Sequence, residues 1–552
     1  MTAPAAPTPL PIPADFPIAW QKPGDEQLPW FQDLMHNPMP VTPLTASIDT
    51  DAFSTGASRG LDGLFLPISR LRQMVQNNYV YLTAEPILGT PEEMEARFGQ
   101  MQGAIGALMP GFLERFYSDY VPRILAHTNR NRDTDYTAMT LPQLCTCVAT
   151  LPDVATDLWD MHMQVNIPSM VAAFGFSEFL ASIFGPEIER TAHLMLQGFP
   201  NKSVETGHLI WELAQEVRRD GALANAVRET PAGEFRARLS ESDAGRAFLL
   251  RWEEFLSGYG WRSGGFELST ASWIEDWSVP LSQLRAYVAS DAEDPLEAQR
   301  RQAVERDRLV AETEAKLPPD VVPVFGMLLA GAQTYIPIAE DHNFYIDQMA
   351  FTSSRVPIMA LARALAGAGV IAEPDDIFFL DLDDVVAIGS GDRSDRSAVV
   401  AERRASLQRS KSTIPPEMIG TPPPADMPPD PLLSKFFGIG HGLESDSKVI
   451  RGIPSSSGTV TGTVKVVRTL DEAGKLEPGD VMVCHMTMPA WTPLFATVSA
   501  VVADSGGVLS HCSIVAREYG VPCVTATRVG TRLLKDGQTV TVDGARGLVH
   551  VK

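Results

Sequence analysis

The sequence predicts a multidomain fold: a large, mainly α-helical body followed by a compact α/β domain. Three observations carry this. Apolar residues recur three and four positions apart from about residue 91 to 369, and strand-like alternation is rare there. Prolines then crowd the chain between Pro415 and Pro431. Beyond residue 449, short Val-rich runs separated by glycine turn signals replace the helical pattern.

The 552 residues allow roughly three domains at ~100–200 residues each. A hydrophobic content of 44% excludes disorder for most of the chain. The balance of 45 basic against 68 acidic residues, −23 net, repels phosphate backbones and anionic lipid. Nucleic acid and membrane are therefore not expected as partners. Five cysteines without framework spacing point to reduced thiols and a cytoplasmic location. The N-terminus has no basic flank followed by an apolar core. The apolar runs are broken by proline, glycine or charge short of the ~20 residues of a membrane span.

In order along the chain, residues 1–90 read as a Pro-rich extended arm, anchored by Trp20, Trp30 and Phe31, and the start of the helical domain. Residues 37–44 are read as non-helical, because proline removes donors and restricts its predecessor. The helical domain covers 91–410. Pro91 with Glu92 and Glu93 marks a helix start. Further helices are expected over 153–176, 203–217, 248–259, 294–316, 321–332 and 394–410. Residues 411–448 read as a stiff, Pro-rich linker. Residues 449–552 form the α/β domain, with strands expected near 462–467, 480–484, 500–503, 521–525, 539–543 and 548–551 and one helix from about His511 to Tyr519.

The chemistry concentrates at 504–522. A buried strand ends at Ala503, and Gly506 and Gly507 permit a tight turn or close backbone approach. Ser510 is a good N-cap, and Gly520 followed by Pro522 is a stop signal. His511 is thereby placed on the first turn of a short helix, where free backbone N–H groups attract anions. A neutral imidazole beside such a cradle suits a histidine that takes up a phosphoryl group. A plain helix-capping role is the alternative.

Residues 505–524 (SGGVLSHCSIVAREYGVPCV) resemble the phosphohistidine swivelling domain of the phosphoenolpyruvate-utilising enzymes. The resemblance extends over 452–458 with Gly462, over 476–483 and 488–493, and to the hairpin around Gly544 and Gly547. It implies that His511 is the phosphorylated nucleophile, with Gly506, Gly507, Ser510, Cys512 and Ser513 as its phosphate cradle. Residues 255–267 with Trp273, residues 340–345, Arg355 and residues 375–380 are similar to the substrate domain of rifampin phosphotransferase and phenylphosphate synthase. Trp261 stands where those relatives often have His. This likeness implies Arg262, Glu340, Tyr345 and Arg355 as substrate-binding residues.

His162, on an apolar helix face, and His342, after Glu340 and Asp341, are candidate acceptor bases; a core histidine and a solvated helix end are the plainer alternatives. No P-loop, ATP-grasp pattern or pyruvate-binding barrel is evident in the sequence. Cys145 and Cys147 project from different sides of a helix, and no C-x-x-C pair occurs, so no metal is expected. The closest picture is the substrate and phosphohistidine subunit of a split aryl dikinase. What this implies is β-phosphoryl transfer from ATP to His511, with release of AMP and phosphate, then transfer to a phenolic hydroxyl. No cofactor is expected on this chain; ATP and Mg2+ would sit on a partner ATP-grasp-type subunit. The alternatives are a non-enzymatic phosphocarrier or regulatory module, and a phosphotransferase acting on a rifamycin-like antibiotic.

Overall fold

A computed structural model describes residues 8–289, 291, 293–424 and 448–552. Two compact units form: residues 1–168, 265–270 and 345–428 in one, and 169–264, 271–344 and 429–552 in the other.

The first unit combines helices with a small antiparallel sheet. Strands β1 (Pro29–Gln32), β2 (Ile68–Gln76), β3 (Tyr79–Pro86) and β4 (Met418–Gly420) lie in the order β2-β3-β1-β4. The β2–β3 hairpin turns at Asn77 and Asn78, both at positive φ, the conformation a two-residue hairpin turn demands and asparagine tolerates. Phe16, Trp30, Met74, Tyr79, Tyr81 and Ile419 fill the core under this sheet. The N-terminal arm is therefore partly strand. So is part of the segment read as linker, because β4 pairs Trp30 with Ile419. Pro428, Pro429 and Pro431 lie outside the described residues.

The helix Pro43–Gly60 starts inside the stretch read as non-helical. Pro43 takes a position in the first turn, where its missing N–H would have had no partner in any case. The predicted start at Pro91 is observed, with a complete capping box between Thr90 and Glu93.

Two helical stretches, Leu141–Phe184 and Val322–Gly367, are long and apolar enough by length and composition to cross a bilayer. This corrects the expectation that every apolar run is interrupted: Pro168 lies inside a continuous helix, Leu151–Phe184. Buried core helices meet the same criteria.

The second unit holds the helices Lys202–Arg218, Asp243–Tyr259, Ser278–Ala289, Pro295–Glu314, Val322–Ala332 and Tyr335–His342, together with the C-terminal α/β fold. Its strands are β5 (Val449–Arg451), β6 (Ile453–Ser456), β7 (Thr459–Val466), β8 (Val481–Cys484), β9 (Ala500–Ala503), β10 (Cys523–Thr525), β11 (Thr539–Asp543) and β12 (Leu548–Val551). Their order is β5-β12-β11-β7-β8-β9-β10-β6. The centre, β7-β8-β9-β10, is parallel, and antiparallel strands flank it. Every residue of β8 and β9 is buried, which explains their unbroken apolar runs. Strands β5 and β6 flank Gly452. Gly452 is packed so that a Cβ would lie 2.3 Å from the Thr525 carbonyl oxygen.

Candidate functional site

The site is built where β9 ends. Asp504 leaves the sheet buried and accepts hydrogen bonds from the Thr531 hydroxyl, from Thr527 Oγ1 at 3.0 Å and from the Thr531 amide at 3.2 Å. His485 Nδ1 lies 3.2 Å from it. Burial pushes the Asp504 carboxyl up, but these partners outweigh it and hold it below the usual aspartate value. The Ser505 amide then donates to the His485 carbonyl at 3.0 Å, fixing the loop that follows.

Gly506 has φ +98°, and a Cβ there would meet Ser510 Oγ at 2.7 Å. The turn it makes aims the Gly507 carbonyl at the next helix. That carbonyl accepts from the Ser510 amide at 3.1 Å, from Ser510 Oγ at 2.8 Å and from Ser513 Oγ at 2.6 Å. The helix His511–Glu518 begins at Ser510 as expected, but the Ser510 hydroxyl makes no side-chain cap bond to it. It points back into the loop instead.

His511 occupies the first helical position, with its side chain only 7% exposed. Its Nδ1 lies 3.0 Å from both carboxylate oxygens of Glu340. Its Nε2 faces Thr492 Oγ1 at 3.5 Å. Glu340 is fully buried and also accepts from Ser203 Oγ at 2.6 Å. A buried carboxylate against Nδ1 favours the proton on that nitrogen and leaves the lone pair on Nε2. Cys512 lies with its sulfur 3.7 Å from that of Cys523; all five cysteines are free thiols.

The same helix is held by the helical part of the unit. Asn201 caps the helix Lys202–Arg218 through Oδ1 and donates from Nδ2 to Glu518 Oε1 at 3.1 Å. Tyr335 donates to the Leu509 carbonyl at 2.7 Å, and Gln302 to the Arg517 carbonyl at 2.7 Å. Arg517 donates to the Ser455 carbonyl at 2.9 Å, and burial lowers its pKa to about 10.

Of the residues singled out for the substrate, Glu340 meets His511 directly. Arg262 belongs to the same unit. It is fully buried, donates to Thr206 Oγ1 at 2.8 Å and lies over the rings of Phe344 (4.9 Å) and Trp273 (5.5 Å). Burial lowers its pKa to about 10. His342 Nδ1 is 2.7 Å from the Ile338 carbonyl, one turn back on its own helix. His162, Tyr345 and Arg355 belong to the first unit. There His162 Nδ1 lies 3.1 Å from Asp347, its ring 5.0 Å from that of Trp159. Arg355 donates to the Leu268 carbonyl at 2.8 Å and lies over Phe378. Tyr345 is half-buried in the π-helical stretch Asn343–Ala350.

Sequence reasoning did not single out Thr492, Ser203 or Asn201. Thr492 lies in the 488–493 stretch that carries the family likeness; nothing local marks the other two.

Residues 476–547 match the family model described as PEP-utilising enzyme, mobile domain, and residues 125–340 match that of the rifampicin phosphotransferase fourth domain. The chain is 30% identical to the chondramide synthase of Chondromyces crocatus over 98% of its own length and 14% of that protein. It is 31% identical to an uncharacterized phosphotransferase of Bacillus subtilis, over 71% of this chain and 47% of the relative. It is 28% identical to the rifampicin phosphotransferase of Streptomyces sviceus, over 71% of this chain and 44% of the relative. The chain thus spans less than half the length of each of these relatives.

Proposed function

The chain is related to the PEP-utilising enzymes and to rifampicin phosphotransferase, and from that premise we propose that it is the substrate and phosphohistidine component of an ATP-dependent phosphotransferase. The observation that carries this reading is the environment of His511: Nδ1 against the buried Glu340 carboxylate and Nε2 turned toward a single hydroxyl. An ATP-grasp-type unit with ATP and Mg2+ supplies the β-phosphoryl. The Nε2 lone pair attacks that phosphorus, the bond to the oxygen bridging to AMP breaks and AMP leaves. Water then takes the terminal phosphoryl from the histidine-bound diphosphate as phosphate, and the imidazole carries the remaining phosphoryl to a second site.

The acceptor is a phenolic hydroxyl. Its oxygen attacks phosphorus, the N–P bond breaks, and the hydroxyl proton passes to a base. Transfer of this kind depends on in-line positioning and charge stabilisation more than on covalent help. A cytoplasmic location, where ATP is abundant and the free thiols stay reduced, belongs to the same reading. The fourth-domain match favours a second acceptor, a rifamycin-like molecule, whose reacting group is also a hydroxyl.

The test combines the chain with an ATP-grasp-type protein and labelled ATP. An acid-labile, base-stable mark is expected on the wild type and none on H511A, with AMP as a product. Phenol, 4-hydroxyacetophenone and rifampicin are then offered as acceptors. A mark that persists in H511A removes His511 from the reading. Label that stays on the protein with every acceptor favours a phosphocarrier.

A further inference from the structure

We propose that the phosphoryl group on His511 Nε2 is held by the 487–492 segment between β8 and β9, with Thr492 as its first donor, and not by the serines of the 506–513 loop. This rests on the reading of His511 as phosphate acceptor and names the residues that hold the product of that step.

The argument follows the donors. Among the groups expected to form a cradle, the Ser510 and Ser513 hydroxyls both donate to the Gly507 carbonyl. Cys512 is buried with its sulfur against Cys523, and a thiol is a weak donor. Gly506 and Gly507 offer only backbone. What remains on that side is the set of backbone N–H groups at the helix start.

The 487–492 segment is different. Thr492 is fully buried, and its Oγ1 is 3.5 Å from Nε2, the ring nitrogen Glu340 leaves available. Thr487 Oγ1 and Trp491 Nε1 are buried and have no hydrogen-bond partner among the described residues. Two buried donors left unpaired in one short segment are costly, unless they serve a group that is present for only part of the cycle. A dianionic phosphoryl supplies that group: three acceptor oxygens, each able to take a charge-assisted hydrogen bond. Both His511 and the 487–492 segment lie in the α/β fold, and Gln283 of the helix Ser278–Ala289 holds that segment by donating to the Ala490 carbonyl at 3.0 Å.

The test uses phosphoramidate, which needs no partner protein. The Nε2 lone pair attacks phosphorus, the P–N bond of the reagent breaks, and ammonia leaves; Nδ1 keeps its proton. Phosphorus NMR reads which ring nitrogen carries the group and how fast it is hydrolysed. T492V keeps the shape of the side chain and removes the hydroxyl, whereas T492S keeps the hydroxyl. In T492V the Nε2 adduct is expected to hydrolyse roughly tenfold faster than in the wild type, with T492S close to the wild type. W491F and T487V are expected to shorten its life less. A T492V adduct as long-lived as that of the wild type, or an adduct on Nδ1, overturns this inference and leaves His511 as acceptor. A wild-type chain that takes no mark at His511 overturns the acceptor reading itself.

Discussion

At the scale of single residues, the informative pair is His511 with Glu340. The two are 171 positions apart, and the carboxylate meets one ring nitrogen with both oxygens at 3.0 Å. On the proposed reading, Glu340 acts as a positioning residue, through the imidazole. In E340Q the charge is lost, and an amide nitrogen competes with the oxygen for the place facing Nδ1–H. Phosphorylation of His511 is expected to slow roughly a hundredfold, the range typical of a misplaced acid–base partner. The regiochemistry should loosen as well, with part of the phosphoryl on Nδ1 by phosphorus NMR. A single Nε2 adduct formed at the wild-type rate would deny Glu340 this role. Ser203 supports the same carboxylate from the first turn of its helix. The sequence reading took Glu340 for a substrate contact because its family motif stands out; no local pattern shows which side chain lies opposite.

At the scale of elements, the helix His511–Glu518 is legible from its sequence, since Ser510 before it and Gly520 after it, at φ +66°, are strong boundary signals. Its docking surface is not legible. Asn201, the N-cap of the helix Lys202–Arg218, bonds Glu518, and Gly207 of that helix lies against Tyr519, the residue that follows Glu518. A Cβ on Gly207 would lie 2.5 Å from the Tyr519 hydroxyl, 3.4 Å from Pro295 Cγ and 3.6 Å from the Tyr287 hydroxyl. Tyr519 ends a rigid ring buried among these groups, so it cannot give way cheaply. G207A is expected to weaken this contact by about 1–3 kcal/mol, the usual cost of overpacking. Hydrogen exchange should then speed up in the His511–Glu518 helix while the β7-β8-β9 core stays protected. Unchanged exchange in the helix would mean that the tyrosine accommodates the methyl group.

At the scale of the whole molecule, the α/β fold docks on the helices of its own unit through buried polar groups, and Glu518 makes that docking pH-dependent. Burial, and after it the charge of Glu340, raises its carboxyl well above the ordinary glutamate value; Asn201 and Arg517 oppose the shift. The docked form thus binds a proton that an exposed Glu518 would give up. Stability of the docked form is complete below the ordinary carboxyl value and is lost as pH rises through the raised one. Docking monitored by hydrogen exchange should weaken as pH rises through that window, and E518Q should flatten the dependence. A wild-type profile that strengthens with pH would reverse the sign and refute the assignment. If the phosphoryl group is collected at one station and delivered at another, as proposed, this contact is the one that opens between them. The sequence by itself determined the helical body, the core strands of the α/β fold and the helix that starts at His511. Periodicity, buried apolar runs and capping residues are local signals, and each acts within a few residues of chain. Only the tertiary structure decided that Glu340 faces Nδ1, that Thr492 faces Nε2 and that the 418–420 stretch is a strand. Those facts depend on segments far apart in sequence meeting in space, and partner choice across such distances leaves no trace in local composition.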